Sequence, residues 1–209
     1  MQPTLSDSLL DYAGQSSPGR RRSHNEDALL CAPELGLWAI ADGMGGHQCG
    51  EVASSLALSA LQQAIERGDS LQTAVQHANQ AVLDAAVDDG MGTTLVAAHF
   101  KGADFELTWV GDSRAYIVNG NGHIAQVTSD HSFVQALVAA GHITEEEADT
   151  HPMKNVLYRA LGQTHEIDVD IYYEQMRAGD WLVLCSDGLT LHVKAHEIAA
   201  LVTQYNDPT

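Results

Sequence analysis

The apolar residues of this chain fall into two kinds of run, and each kind predicts a different element. Leu37-Trp38-Ala39-Ile40-Ala41, Leu107-Thr108-Trp109-Val110 and Trp181-Leu182-Val183-Leu184-Cys185 are short, continuous and rich in strand-forming residues, the pattern of strands buried in a sheet. Strands are predicted also over 94–100 and 115–118, the 107–110 run extends back to 105, and Asn119-Gly120-Asn121-Gly122 reads as a hairpin turn. From Glu51 to Arg67, by contrast, Val52, Leu56, Ala60 and Ile65 recur at helical spacing and Gly68 supplies a stop signal. A second helix is predicted from Leu71 to about Val87. Strands, then paired helices, then more strands predict an α+β fold with helices segregated onto antiparallel sheet, not regular β-α-β alternation.

Between Asp130 and Gly162 the pattern changes. It predicts a short helix over 132–140, then Gly141, then a second helix opened by the capping box Thr144-Glu145-Glu146-Glu147 and ended by His151-Pro152. This stretch reads as a small helical insertion projecting from the core, the kind of element that forms a lid or a partner surface. There is no internal repeat and no low-complexity linker. With 209 residues, 44% of them apolar, the chain is expected to bury one substantial core as a single domain, 1–209.

Composition narrows the function. No stretch is long and apolar enough for a membrane-spanning helix, and the polar start from Met1 to Asp11 lacks the basic and apolar regions of a signal peptide, so a soluble, cytoplasmic protein is expected. A formal net charge of −18 argues against nucleic acid or an anionic membrane as partner. Cys31, Cys49 and Cys185 are odd in number, far apart and without a CxxC pair, which argues against a disulfide framework or a zinc thiolate site. The 11 histidines are scattered, with no HExxH motif.

The acidic residues are more informative. They recur beside glycines or turns at Asn25-Glu26-Asp27, Asp42-Gly43-Met44-Gly45-Gly46, Gly111-Asp112-Ser113-Arg114 and Ser186-Asp187-Gly188. Any one of these, taken singly, reads as a turn. Several of them sit at the ends of runs that read as buried strands, however, and carboxylates gathered there repel one another unless a cation compensates. A metal centre is therefore the leading expectation.

Those motifs, in order, resemble the PP2C (PPM) family of metal-dependent protein serine/threonine phosphatases, in its bacterial form. The resemblance rests on Arg22-Ser23-His24-Asn25-Glu26-Asp27, Ala41-Asp42-Gly43-Met44-Gly45-Gly46-His47, Gly92-Thr93-Thr94, Gly111-Asp112-Ser113-Arg114-Ala115-Tyr116 and Cys185-Ser186-Asp187-Gly188-Leu189. Residues 130–162 resemble the family's flap. The resemblance implies a four-layer α/β/β/α sandwich of two antiparallel sheets flanked by helices, with two core Mn2+ or Mg2+ ions at one end. It makes Asp42 the bridging ligand and Gly43 a carbonyl ligand. Asp187 becomes a direct ligand, and Asp42 and Asp187 the catalytic pair. By the same resemblance, Glu26 and Asp27 are expected to hold metal-bound waters, and Asp112 to bind a weaker third ion. Arg22 grips the phosphate; the alternative is that Arg20-Arg21-Arg22 is only a solvated basic loop, and the spacing to Asn25-Glu26-Asp27 favours the phosphate role.

The chemistry is consistent with such a set. Phosphomonoester dianions repel oxygen nucleophiles, and two ions about 3.5–4 Å apart both shield that charge and make hydroxide available from a bridging water. All-oxygen donors suit Mg2+ or Mn2+ over zinc. Met44 stands where some family members carry a histidine proposed as general acid, and methionine cannot donate a proton.

The family ends with a helix, a Gly-x-Asp-Asn turn and a last strand whose aspartate is a further metal ligand, whereas this sequence stops at Tyr205-Asn206-Asp207-Pro208-Thr209. Either the sequence is part of a longer phosphatase or it is a short variant. The first expectation is an enzyme, acting as a monomer on phosphorylated proteins, among them the substrates of a bacterial serine/threonine kinase and the kinase itself. The second is a catalytically weak phosphoprotein-binding or regulatory module. A third, a phosphatase of sporulation or stress sigma-factor pathways, is disfavoured because that branch tends to lack the flap.

Overall fold

A computed structural model of the chain describes residues 10–19, 24–45, 48–86 and 90–205. The chain enters through β1 (Asp27–Ala32) and β2 (Leu37–Met44), joined by a 3-10 turn over Pro33–Leu35. Gly36 closes that turn at φ +65°, and a Cβ there would stand 2.5 Å from the Phe100 carbonyl oxygen, so both its backbone conformation and its surroundings require glycine. Then come the two helices, α1 (Gln48–Glu66) and α2 (Leu71–Ala85), the latter capped by the Ser70 hydroxyl, which accepts from Thr73 N–H.

The strands that follow are β3 (Gly92–Thr93), β4 (Leu95–Lys101), β5 (Asp104–Val110), β6 (Arg114–Val118), β7 (Ile124–Gln126), β8 (Asp170–Gln175) and β9 (Trp181–Cys185). Between β7 and β8 lie α3 (Phe133–Ala139) and α4 (Glu145–Thr150), and the chain continues through α5 (Asp187–Thr190) and α6 (Ala195–Tyr205). One antiparallel sheet runs β1-β2-β4-β5-β8, with β3 paired to β2, and the other runs β7-β6-β9.

Side-chain alternation along these strands builds the layers. Leu37, Ala39 and Ala41 of β2 pack with Leu61, Leu71 and Val75 of the two long helices. Ile40, on the other face, joins Val96, Leu107, Ala115, Leu182 and Leu184 between the two sheets. Tyr116, Val183 and Cys185, on the outer face of the second sheet, pack against Ile198 and Ala195 of α6. The described residues thus form helices, sheet, sheet and helix in four layers, an α+β sandwich as expected.

Most predicted elements fall where the pattern put them. The capping box of α4 is complete, with Glu147 N–H donating to Thr144 Oγ1 at 3.2 Å and Thr144 N–H donating to Glu147 Oε2 at 2.8 Å. Two differences matter. β2 runs on through Asp42 and Gly43 to Met44, so Asp42 sits within a paired strand. And β8, Asp-Ile-Tyr-Tyr-Glu-Gln, is an edge strand half of whose residues are exposed, so no apolar run betrays it.

Candidate metal centre

The same alternation decides which carboxylates meet. Asp27 opens β1 and lies opposite Asp42 in the β1–β2 ladder, and by strand parity both belong to the face that looks toward the second sheet. Asp187 follows β9 as the first residue of α5, and Asp112 lies in the tight turn between β5 and β6. The two sheets, stacked face to face, bring these four together at one end of the sandwich.

Electrostatics report the convergence. Burial, then the negative charges of Asp27, Asp187 and Asp112, push Asp42 up to about 8, and a hydrogen bond with the Asp27 carboxyl adds to the shift. Asp112 is raised to about 6, first by burial and then by Asp187 and Asp130, with Arg114 partly offsetting them. Among the described residues, no three Asp, Glu, His or Cys side chains close on one point at metal-ligand spacing as they stand. The carboxylates sense one another through a partly desolvated space.

Glu26 and Gly43 complete the neighbourhood. Gly43 N–H donates to the Glu26 carbonyl at 3.1 Å, and Ser54 Oγ, itself buried, donates to the same carbonyl at 2.7 Å. A Cβ on Gly43 would collide with the Gly50 carbonyl, and one on Gly50 would stand 3.0 Å from Glu26 Oε1. The strand can pass this close to α1 only because both residues are glycine. Arg22, predicted to grip phosphate, lies outside the described residues, as do Gly46 and His47.

A set of hydroxyls that sequence reading assigned no role steadies the acidic residues. Ser186 Oγ donates to Asp27 Oδ2 at 2.8 Å, bridging from the end of β9 to the start of β1. Thr93 Oγ1 donates to the Asp42 carbonyl at 3.0 Å, and Asp42 N–H donates to Thr94 Oγ1 at 3.0 Å. Thr94 Oγ1 in turn shares a 2.7 Å hydrogen bond with Ser113 Oγ, both residues being buried. The signal for these was their adjacency to acidic motifs or, for Thr93 and Thr94, their place in a Gly-Thr-Thr run too common to read alone.

The donor set fits a hard divalent cation. It consists of Asp and Glu carboxylates and backbone carbonyls, the oxygen ligands that Mg2+ and Mn2+ take. Burial and the neighbouring carboxylates oppose a charge on Asp42, as expected where such a cluster is built around a cation. Cys185 does not contribute: burial, above all, pushes its thiol up to about 12, and it faces the opposite side of its strand.

Comparison with known proteins bears on this site. The family profile described as protein phosphatase 2C matches residues 15–207. The chain is 42% identical over 193 residues to the serine/threonine protein phosphatase PstP of Mycobacterium tuberculosis, a match covering 87% of this chain but only 37% of that protein's length. It is 39% identical over 197 residues to the serine/threonine phosphatase stp of Listeria welshimeri, covering 86% of this chain and 78% of the relative. The crystal structure of the catalytic domain of PstP, in complex with 2 manganese ions, superposes with a TM-score of 0.80 at 39% identity, covering 91% of this chain and 83% of that one.

Proposed function

This chain belongs to the protein phosphatase 2C family, and we propose that it is a metal-dependent protein serine/threonine phosphatase that hydrolyses phosphoserine and phosphothreonine esters in proteins. The observation that carries this reading is the convergence of Asp27, Asp112 and Asp187, contributed by both sheets, on the buried carboxylate of Asp42. It is supported by the 2 manganese ions in the PstP catalytic domain. The kinase whose products it would reverse, the monomeric state, the choice of Mg2+ over Mn2+ and a third ion at Asp112 are parts of the same proposal.

On this reading Asp42 and Asp187 hold the core ions directly, with the Gly43 carbonyl beside them, and Glu26 and Asp27 hold the ordered water around them. Two bound divalent ions supply neutralising charge for the phosphoryl oxygens and acidity for a water near neutral pH. Ser186 fixes the carboxylate of Asp27 through its 2.8 Å hydrogen bond, and Thr93 and Thr94 fix the backbone of Asp42 on both sides. Arg22, with its planar fork of donors, binds two phosphate oxygens and orients the ester for in-line displacement. Met44 at the end of β2 donates no proton, so the leaving serine or threonine oxygen takes its proton from solvent water. Residues 130–162 act as a flap beside the site and contact the protein that bears the phosphate.

Hydrolysis of para-nitrophenyl phosphate and of a phosphothreonine peptide by the 209-residue chain, with Mn2+, Mg2+ or excess EDTA, tests the proposal. Metal-dependent turnover abolished by EDTA is the expected result. A folded protein that binds the phosphopeptide and hydrolyses neither ester would establish the binding module instead.

A further inference from the structure

The turn that presents Asp112 is also gripped from the segment that follows β7. Gly111 has φ +101°, and a Cβ on it would stand 2.7 Å from Thr94 Cγ2, so the turn is wedged against the strand that follows Asp42's partner residues. On its far side lies His131, 2% exposed. Gly111 N–H donates to His131 Nδ1 at 3.0 Å, and His131 N–H donates back to the Gly111 carbonyl at 2.9 Å. Ser113, on the other flank of Asp112, is held by Thr94.

The hydrogen bond fixes the imidazole's chemistry. A ring nitrogen that accepts from a backbone N–H carries no proton, so the neutral ring bears its hydrogen on Nε2. Nε2 lies 3.5 Å from Asp170 Oδ2 and 3.3 Å from Arg159 Nη1, and Arg159 itself donates to Asp170 Oδ1 at 3.0 Å. Trp109 and Tyr158 flank the ring, and Tyr158 N–H donates to the His131 carbonyl at 3.0 Å. One buried side chain therefore ties three pieces of chain together: the Asp112 turn, the return of the 130–162 segment at Tyr158 and Arg159, and the start of edge strand β8 at Asp170.

We propose that His131 is a positioning residue, whose Nδ1 lone pair fixes the Gly111 amide so that the Asp112 carboxylate is held at the metal centre and coupled to residues 130–162. It rests on the phosphatase reading for what Asp112 does there, and on geometry alone for the clamp. Burial and the adjacent guanidinium of Arg159 keep the imidazole below its ordinary pKa, which preserves the accepting lone pair at neutral pH.

Two polar substitutions separate the ring nitrogens. Asparagine places an amide oxygen where Nδ1 stands, and glutamine reaches instead toward Nε2 and offers the Gly111 amide nothing. Mn2+ binding to the 209-residue chain is measured by titration calorimetry and by electron paramagnetic resonance of the free ion, alongside hydrogen exchange at the Gly111 amide. H131Q is expected to lose protection at Gly111 and to bind its weakest Mn2+ about 10–100-fold less tightly, the usual cost of losing an outer support of a metal ligand. H131N is expected to stay within about threefold of the unmodified protein, well below that range, with the amide still protected. Equal Mn2+ binding by H131Q and the unmodified chain overturns the proposal, as does H131N binding as weakly as H131Q. Should the unmodified chain bind no Mn2+, the phosphatase reading fails and the coupling to a metal fails with it; Gly111 exchange then decides whether the clamp itself stands.

Discussion

Asp42 and Thr94 are joined twice: Thr94 N–H donates to the Asp42 carbonyl at 2.9 Å, and Asp42 N–H donates to the Thr94 hydroxyl at 3.0 Å. The first bond is what any strand neighbour could provide. The second needs a hydroxyl, and Thr94 is 2% exposed, so no water can replace it readily. Thr94→Val keeps the shape and leaves the Asp42 amide without a partner, at a cost of about 1–3 kcal/mol. For a chain of this size each kcal/mol corresponds to a fall in Tm of about 2–4 °C. Differential scanning calorimetry of T94V against T94S checks this, since serine restores the hydroxyl. A T94V protein as stable as T94S would show that the bond contributes nothing.

The carboxylate of Asp42 is expected to set function against stability. Asp27, Asp112 and Asp187 all act on it with the same sign. Asp42→Asn makes permanent, without changing the size of the side chain, the uncharged state that burial and the three neighbouring carboxylates favour at this position. In EDTA, D42N is therefore expected to melt higher than the unmodified protein, by about 2–4 °C for each kcal/mol of repulsion relieved. With Mn2+ added it is expected to show neither the metal-dependent rise in Tm nor hydrolysis of para-nitrophenyl phosphate. Retained hydrolysis in metal-replete D42N would remove Asp42 from the centre.

Ser186 occupies the position before α5 where a hydroxyl normally caps the helix, yet it makes no capping bond; its proton goes to Asp27 Oδ2. That choice ties the edge strand of one sheet to the edge strand of the other at the acidic end. Ser186→Ala is expected to lower kcat/KM about tenfold by freeing the Asp27 carboxylate. The loss in stability should stay near the roughly 1 kcal/mol of a single hydrogen bond. Unchanged kinetics together with a comparable loss of stability would mean that Ser186 only holds the sheets.

The extent to which sequence disclosed this molecule follows from what each feature depends on. The strands at 37–41, 105–110 and 181–185 are legible because packing on both faces, even where it leaves residues half-buried, favours continuous apolar runs. The helices are legible because α1 and α2 bury one stripe each. β8 is not, since an edge strand carrying Tyr173, Glu174 and Gln175 outward satisfies no buried pattern. The acidic residues are visible as motifs, but that Asp112 and Asp187 both act on Asp42 depends on stacking one sheet on another. Thr94, Ser113, Ser186 and His131 stand in or beside recognisable motifs, but nothing in the sequence states their partners. A buried hydroxyl or imidazole is recognised by its partner, and the partner is distant in sequence.

His131 also carries a pH dependence whose direction is fixed by its surroundings. Burial and Arg159 lower its pKa in the folded protein, against the smaller opposing pull of Asp170 and Asp130. A free histidine titrates near 6.5. Between that value and the lower folded one the unfolded chain binds the extra proton and the native state does not, so stability rises with pH there. The contribution is complete above about 6.5 and is lost as pH falls toward the folded pKa. Protonation would also consume the lone pair that accepts from Gly111 N–H, so acid loosens the Asp112 turn as it destabilises the fold. The other carboxylates shift stability with pH as well, and a comparison isolates the imidazole: H131N keeps the bond to Gly111 and does not titrate. Melting temperatures of the EDTA-treated proteins from pH 7.5 to about 5 are expected to fall more steeply for the unmodified chain than for H131N, with the two curves diverging below about 6.5. Parallel curves would mean that His131 takes up its proton in the folded state as readily as in the unfolded one.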